Sequence, residues 1–146
     1  MVISGRNARR VIHGALHART GDLVTLGRDR SRQDDCIAFL EALGQTPPET
    51  PKLLIWDNAP PHHPKRVAAA AEQAHITLAW LPFRSPELTP CEDVWRLLKQ
   101  TVAANRVYDS METLLTQALS WLHACSPAAL LARSGLTSSK FNWLPT

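Results

Sequence analysis

The sequence predicts an α/β fold built around a pair of parallel strands, and three observations carry that expectation. Two short apolar runs, KLLIWD (52–57) and ITLAWLP (76–82), read as strands. The segment between them, HPKRVAAAAEQAH (63–75), is rich in alanine and opens on Pro64, which suits a first helical turn. A strand, a helix of that length and a second strand make a crossover unit, which sets the two strands parallel. In such sheets a functional site lies beyond the carboxyl ends of the strands.

The other elements follow in order. RRVIHGALHARTGDLVTL (9–26) is expected to form a β-hairpin, with Gly21 supplying the turn. SRQDDCIAFLEALGQTPPET (31–50) reads as a helix capped by Ser31, with Asp34 and Asp35 in a first turn whose dipole favours them. Ile37, Leu40 and Leu43 recur at helical spacing, and Gly44 with Pro47 and Pro48 ends the run. Neither 52–57 nor 76–80 has a polar face, as expected of strands buried on both sides. CEDVWRLLKQTVAANRV (91–107) continues as a helix. Asp109 with Glu112 forms a capping box that opens another helix, 109–125, with Leu115, Leu119 and Leu122 as its stripe. Residues 126–146 read as a loop-like tail.

A chain of 146 residues suffices for a single domain, 1–146, with its own core. Its centre is the βαβα stretch 52–107. Apolar residues make up 45% and charged residues 20%, the composition of a globular protein. Net charge is +3 and the pI about 9.0, which permits a nucleic-acid partner without demanding one. Residues 1–32 hold seven arginines, Arg6, Arg9, Arg10, Arg19, Arg28, Arg30 and Arg32, against Asp22 and Asp29. That concentration fits either a solvated basic face or a surface for phosphates. Cys36, Cys91 and Cys125 are odd in number and far apart, which supports neither a disulfide framework nor a zinc ribbon. A reducing, cytoplasmic compartment is expected, with no membrane association.

The densest chemistry lies in IWDNAPPHHPKR (55–66). Asp57 closes a strand at its carboxyl end, and Glu92 falls in the first turn of the helix after the neighbouring strand, with thirty-four residues between them. Two carboxylates brought together there repel unless a cation sits between them. Hard divalent ions accept such oxygen ligands, and phosphodiester chemistry uses two of them about 4 Å apart. Each residue also has a bland account: Asp-Asn-Ala-Pro is a good turn, and a Glu in a first turn answers the helix dipole.

DNAPPH (57–62) and LPFRSPELTPCEDVWRLLK (81–99) resemble the second and third catalytic blocks of DDE transposases, most closely the mariner-like insertion-sequence branch. That branch carries Asp-Asn-Ala-x-x-His, then Leu-Pro-x-x-Ser-Pro-Glu-Leu-Asn-Pro-x-Glu-x-x-Trp-x-x-x-Lys. A spacing of 34 between the second and third acids is its signature. GALHARTGDL (14–23) and AANRVY (103–108) extend the likeness over nearly the whole chain. Thr89 stands where the branch has Asn, and Phe83-Arg84 where it has Pro-Tyr. The family's first catalytic Asp, on a strand before the hairpin, has no counterpart, since MVISGRNARR aligns with the loop that follows that strand. The amino-terminal helix-turn-helix region has none either.

The resemblance implies a ribonuclease-H-like, retroviral-integrase-like mixed sheet with flanking helices and its first strand missing. It implies a catalytic-domain fragment for metal-dependent DNA cleavage and strand transfer in transposition, with Asp57 and Glu92 as catalytic metal ligands. The cofactor would be magnesium or manganese, two ions in a complete site. His62 would sit near the site as a neutral base or phosphate donor, or cap the following helix. Asn58, His62, Arg96 and Lys99 would contact DNA. Helical spacing sets Trp95, Arg96 and Lys99 on the face of Glu92, so Arg96 either pairs with Glu92 or meets phosphate. The implied partners are element-end and target DNA, an upstream-encoded transposase segment and an oligomeric complex in a bacterial, nucleoid-associated setting. The rival expectation is a decayed or split-frame module that binds DNA or a partner without cutting. Residues 1–4 are too short to replace the central strand, so the hairpin and the βα layer are expected to be poorly joined.

Overall fold

The structure, a computed structural model, describes residues 2–5, 8–48, 50–57, 64–82, 91–103 and 110–135. Its first sheet is antiparallel: β1 (Val2–Gly5), β2 (Ala8–Leu16) and β3 (Leu23–Arg28), in that order. Register runs from Val2↔Val11 to Gly5↔Ala8 in the first pair and from Val11↔Arg28 to Leu16↔Leu23 in the second. The expected hairpin is therefore present. Gly21 takes φ 80° in its turn, where a side chain would be strained, and its N–H donates to the His17 carbonyl at 2.9 Å. Val2–Gly5 forms a short strand paired to β2, but among the described residues no ladder carries it on to the second sheet, so it does not stand in for a joining central strand.

The hairpin is buried on both faces, and strand alternation decides which residue meets which layer. Ile12 and Leu16 of β2, with Leu23 of β3, turn toward α3 (Cys91–Leu98), α4 (Met111–Ala124) and α5 (Pro127–Ser134). Ala15, Val24 and Leu26 turn toward α1 (Gln33–Gly44). Glycines permit the close approach on the first of these faces. A Cβ at Gly14 would lie 2.7 Å from Trp95 Cζ2, and one at Gly27 would lie 3.2 Å from the methyls of Leu115.

β4 (Lys52–Trp56) and β5 (Ile76–Trp80) form a separate parallel pair, Lys52↔Ile76 through Trp56↔Trp80, joined by α2 (Lys65–Gln73). The crossover unit is as the sequence predicts. Its expected burial on both faces is not. Leu54 and Ile76 are buried with α1 and α2, but Leu53 on the opposite face is 54% exposed. The apolar run of β4 reflects strand propensity as well as burial.

No ladder joins the two sheets among the described residues. They are joined by side chains instead. Phe39 and Leu40 of α1 share one cluster with Leu54, Val67 and Ile76, against which Val24 and Leu26 of the hairpin pack.

Helix ends differ from expectation in instructive ways. α1 begins at Gln33 after Arg32, not after Ser31. Asp35 draws the start inward: its carboxylate accepts the Arg32 backbone N–H at 2.9 Å and the Arg28 Nε–H at 2.8 Å. Ser110, not Asp109, caps α4, with its Oγ accepting the Thr113 N–H at 3.1 Å; Asp109 lies outside the described residues. The buried stripe of α4 is Leu114, Ala118 and Leu122, with Leu115 and Leu119 flanking it. The segment read as a tail carries α5, which has three ordinary signals: a Ser126 cap, Pro127 at its start and Gly135 at φ 77° after its end.

Candidate active site

Asp57 is the first residue after β4. The Leu81 N–H donates to the Trp56 carbonyl at 2.9 Å, which carries the parallel ladder one step beyond the register pairs and fixes the exit at Asp57. Asp57 is exposed. Glu92 is the second residue of α3 and half-buried. Its position is set three residues on, where the Trp95 ring lies against the bare backbone of Gly14, and by Val94 and Leu98 in the core with Ile12.

Trp95 is thus a core residue, 7% exposed, and not part of the exposed face of Glu92 as helical spacing suggested. The glycine opposite it gives the room. Arg96 does not pair with Glu92: its Nη1 meets Asp93 Oδ1 at 2.9 Å, one turn away and largely exposed. Lys99 is exposed and opens a π-helical turn, Lys99–Ala103, so the α-helix ends there sooner than the sequence suggested. That wider turn carries Val102 into the core beside Leu98. Asn58 and His62 lie outside the described residues.

Cys91, beside Glu92, packs against the core near Leu16, and burial raises its thiol to about 11; the Leu16 backbone hydrogen bond opposes the shift and the Glu92 charge adds to it. It is no nucleophile at neutral pH. The amino-terminal arginines are more engaged than a solvated basic face requires. Arg10 meets Asp29 at 3.3 Å and Glu112 at 2.7 Å, and Arg28 and Arg32 both meet Asp35. Burial pushes the Asp35 carboxyl up, but the Arg28 and Arg32 hydrogen bonds outweigh it and hold it below the usual carboxylate range.

Asp57 directly follows β4 and Glu92 lies in the first turn of α3, and hard carboxylates are the donors magnesium or manganese prefers. Among the described residues no three His, Cys, Asp or Glu side chains gather into one cluster.

An antiparallel three-stranded sheet and a separate parallel pair, with helices packed against them, make a mixed α/β fold. The fold matches the catalytic domain of Mos1 mariner transposase with a TM-score of 0.70 at 17% identity, over 93% of this chain and 73% of that one. The profile of the DDE superfamily endonucleases matches residues 3–115, and the chain belongs to that family. It is 32% identical over 104 residues to the uncharacterized Sinorhizobium fredii protein y4pE/y4sA, covering 71% of this chain and 58% of that protein. It is 26% identical over 129 residues to the uncharacterized 39 kDa protein of insertion element IS630 from Shigella sonnei, covering 87% of this chain and 38% of that one. The chain thus spans well under two thirds of the length of both relatives. No helix among the described residues is long and apolar enough to cross a membrane.

Proposed function

We propose that this transposase-like DDE endonuclease domain serves metal-dependent cleavage and strand transfer of DNA in the movement of an insertion element. The observation that carries this reading is the position of Asp57 at the carboxyl end of β4, with Glu92 opening the helix that follows β5. A bound magnesium or manganese ion would supply charge neutralisation and an activated oxygen at the scissile phosphate. Asp57 and Glu92 hold the ion, the buried Trp95 fixes the helix that presents Glu92, and Arg96, Lys99, Asn58 and His62 meet phosphates. No covalent protein intermediate is needed.

The family chemistry uses two ions, so a further carboxylate beside Asp57 and Glu92 belongs to the complete site, in an oligomeric assembly on DNA. Manganese binding followed by electron paramagnetic resonance tests the ligand assignment. One weakly held ion is expected, lost in both Asp57→Asn and Glu92→Gln. Manganese binding that survives both substitutions refutes it.

A further inference from the structure

We infer that the outer edge of β5 and the flank of α2 beside it form a self-association surface, on which a second copy of this chain docks about a two-fold axis. This goes beyond the DNA reading and needs no DNA. The Lys52 N–H donates to the His75 carbonyl at 3.0 Å and the Leu81 N–H to the Trp56 carbonyl at 2.9 Å, which fixes how the parallel ladder uses β5. Residues 75, 77, 79 and 81 turn their backbone groups to β4, so the alternate residues Ile76 and Leu78 turn theirs to the other side. Among the described residues no strand but β4 pairs with β5. Its sequence, ITLAW, holds neither a charge nor a proline, the devices that guard an open edge.

The groove beside this edge is lined by Ala68, Glu72 and His75 of α2 and by Ile76, Thr77 and Leu78 of β5. α1 covers the other flank of α2, where Ala74 lies against Gly44 and Arg66 meets Asp34 at 2.8 Å. At about 100° per residue, the flank turned away from α1 carries Lys65, Ala68 and Glu72, all of them exposed.

Charge commits this surface to a second copy. Lys65 and Glu72 lie two helical turns apart with Ala68 between them. That pattern is its own complement when two helices run antiparallel: Lys65 of each copy meets Glu72 of the other. A two-fold axis beside β5 sets the two β5 strands antiparallel and gives Ile76 and Leu78 backbone partners. α2 lies over the strands it joins, with Val67 and Ala71 packed on Leu54 and Ile76. With strands about 4.8 Å apart, such an axis runs about 5 Å from that of α2, which puts the two helices about 10 Å apart. That is the spacing of packed helices, and Ala68 leaves room for it. An unrelated extended peptide would gain the ladder bonds alone, without the paired charges.

Sedimentation equilibrium of the pure chain, without DNA, tests this. Lys65→Glu and Glu72→Lys should each weaken the dimer about ten-fold, because two-fold symmetry turns both ion pairs into like-charge contacts, and the double exchange should restore it. Both side chains are exposed, so the variants keep the fold. Amide hydrogen exchange gives the second reading. The Ile76 and Leu78 N–H groups should gain protection as the wild-type protein is concentrated, and lose it in either single variant. A chain that stays monomeric overturns the proposal, as does a dimer indifferent to both charge reversals. Protection of Ile76 and Leu78 that is equal at every dilution assigns the edge to a segment of the same chain and likewise overturns it.

Discussion

Replacing Gly14 with alanine should destabilise the protein by about 1–2 kcal/mol, and that loss should vanish when Trp95 is phenylalanine. The added Cβ would lie 2.7 Å from Trp95 Cζ2 and nearer still to Cη2, inside any tolerable carbon–carbon distance. The indole cannot swing clear, because Val94, Leu98 and Ile12 hold its helix in the buried cluster. Overpacking of this kind costs about 1–3 kcal/mol. Removing a glycine from a strand interior returns about 0.5–1 kcal/mol, so the net loss spans roughly 0–2.5 kcal/mol and centres between about 1 and 2. Both clashing atoms belong to the outer ring of the indole. Trp95→Phe withdraws them at the cost of a cavity, and Gly14→Ala then fills space. Equilibrium urea unfolding of the four proteins gives the coupling directly, with midpoints compared at constant slope. A Gly14→Ala penalty of equal size in both backgrounds would refute the argument, and with it the idea that this contact positions the helix bearing Glu92.

Three further outcomes follow from residues already described. Asp35→Asn should cost about 1–3 kcal/mol at neutral pH by stripping the Arg28 and Arg32 contacts from a buried site. Because the folded carboxyl is held below its usual range, its contribution is complete above about pH 4 and disappears as pH falls through the depressed value, so wild type and variant should converge in acid melts. His75→Gly should raise stability by about 0.5–1 kcal/mol in thermal or urea melts, since His75 sits at φ 59° between α2 and β5. Duplex DNA binding should weaken with salt by about 0.9 log units per phosphate contact, and Arg10→Ala should leave that slope unchanged because Arg10 is committed to Asp29 and Glu112.

Local chemistry made most of this fold readable. The crossover unit and the hairpin announce themselves through alternation, alanine content and a glycine turn, and Asp57 through its place at a strand's end. What escaped reading depends on partners distant in sequence. Trp95 looks like a surface residue until Gly14, 81 positions earlier, is known to leave it room. Arg28 and Arg32 look like phosphate ligands until Asp35 is found buried between them. The shift of the α4 cap from Asp109 to Ser110 is of another kind, since adjacent residues of equal capping power cannot be ranked without the register of the helix.

The hairpin's second face has a bearing on how the chain comes off the ribosome. Gly21 packs under Pro127, Gly27 under Leu115, and Arg10 binds Glu112. These contacts, with that of Trp95 on Gly14, come from segments made 81 to 106 residues later. At a synthesis rate of roughly 5–20 residues per second, Ile12, Leu16 and Leu23 stay uncovered for several seconds. The α1 face, by contrast, closes as soon as Phe39 and Leu40 emerge. A nascent chain stopped before α3 would hold a half-covered sheet with an apolar side open to chaperones or to a neighbouring polysome's product. The order in which the layers arrive thus bears on folding as well as the final packing does.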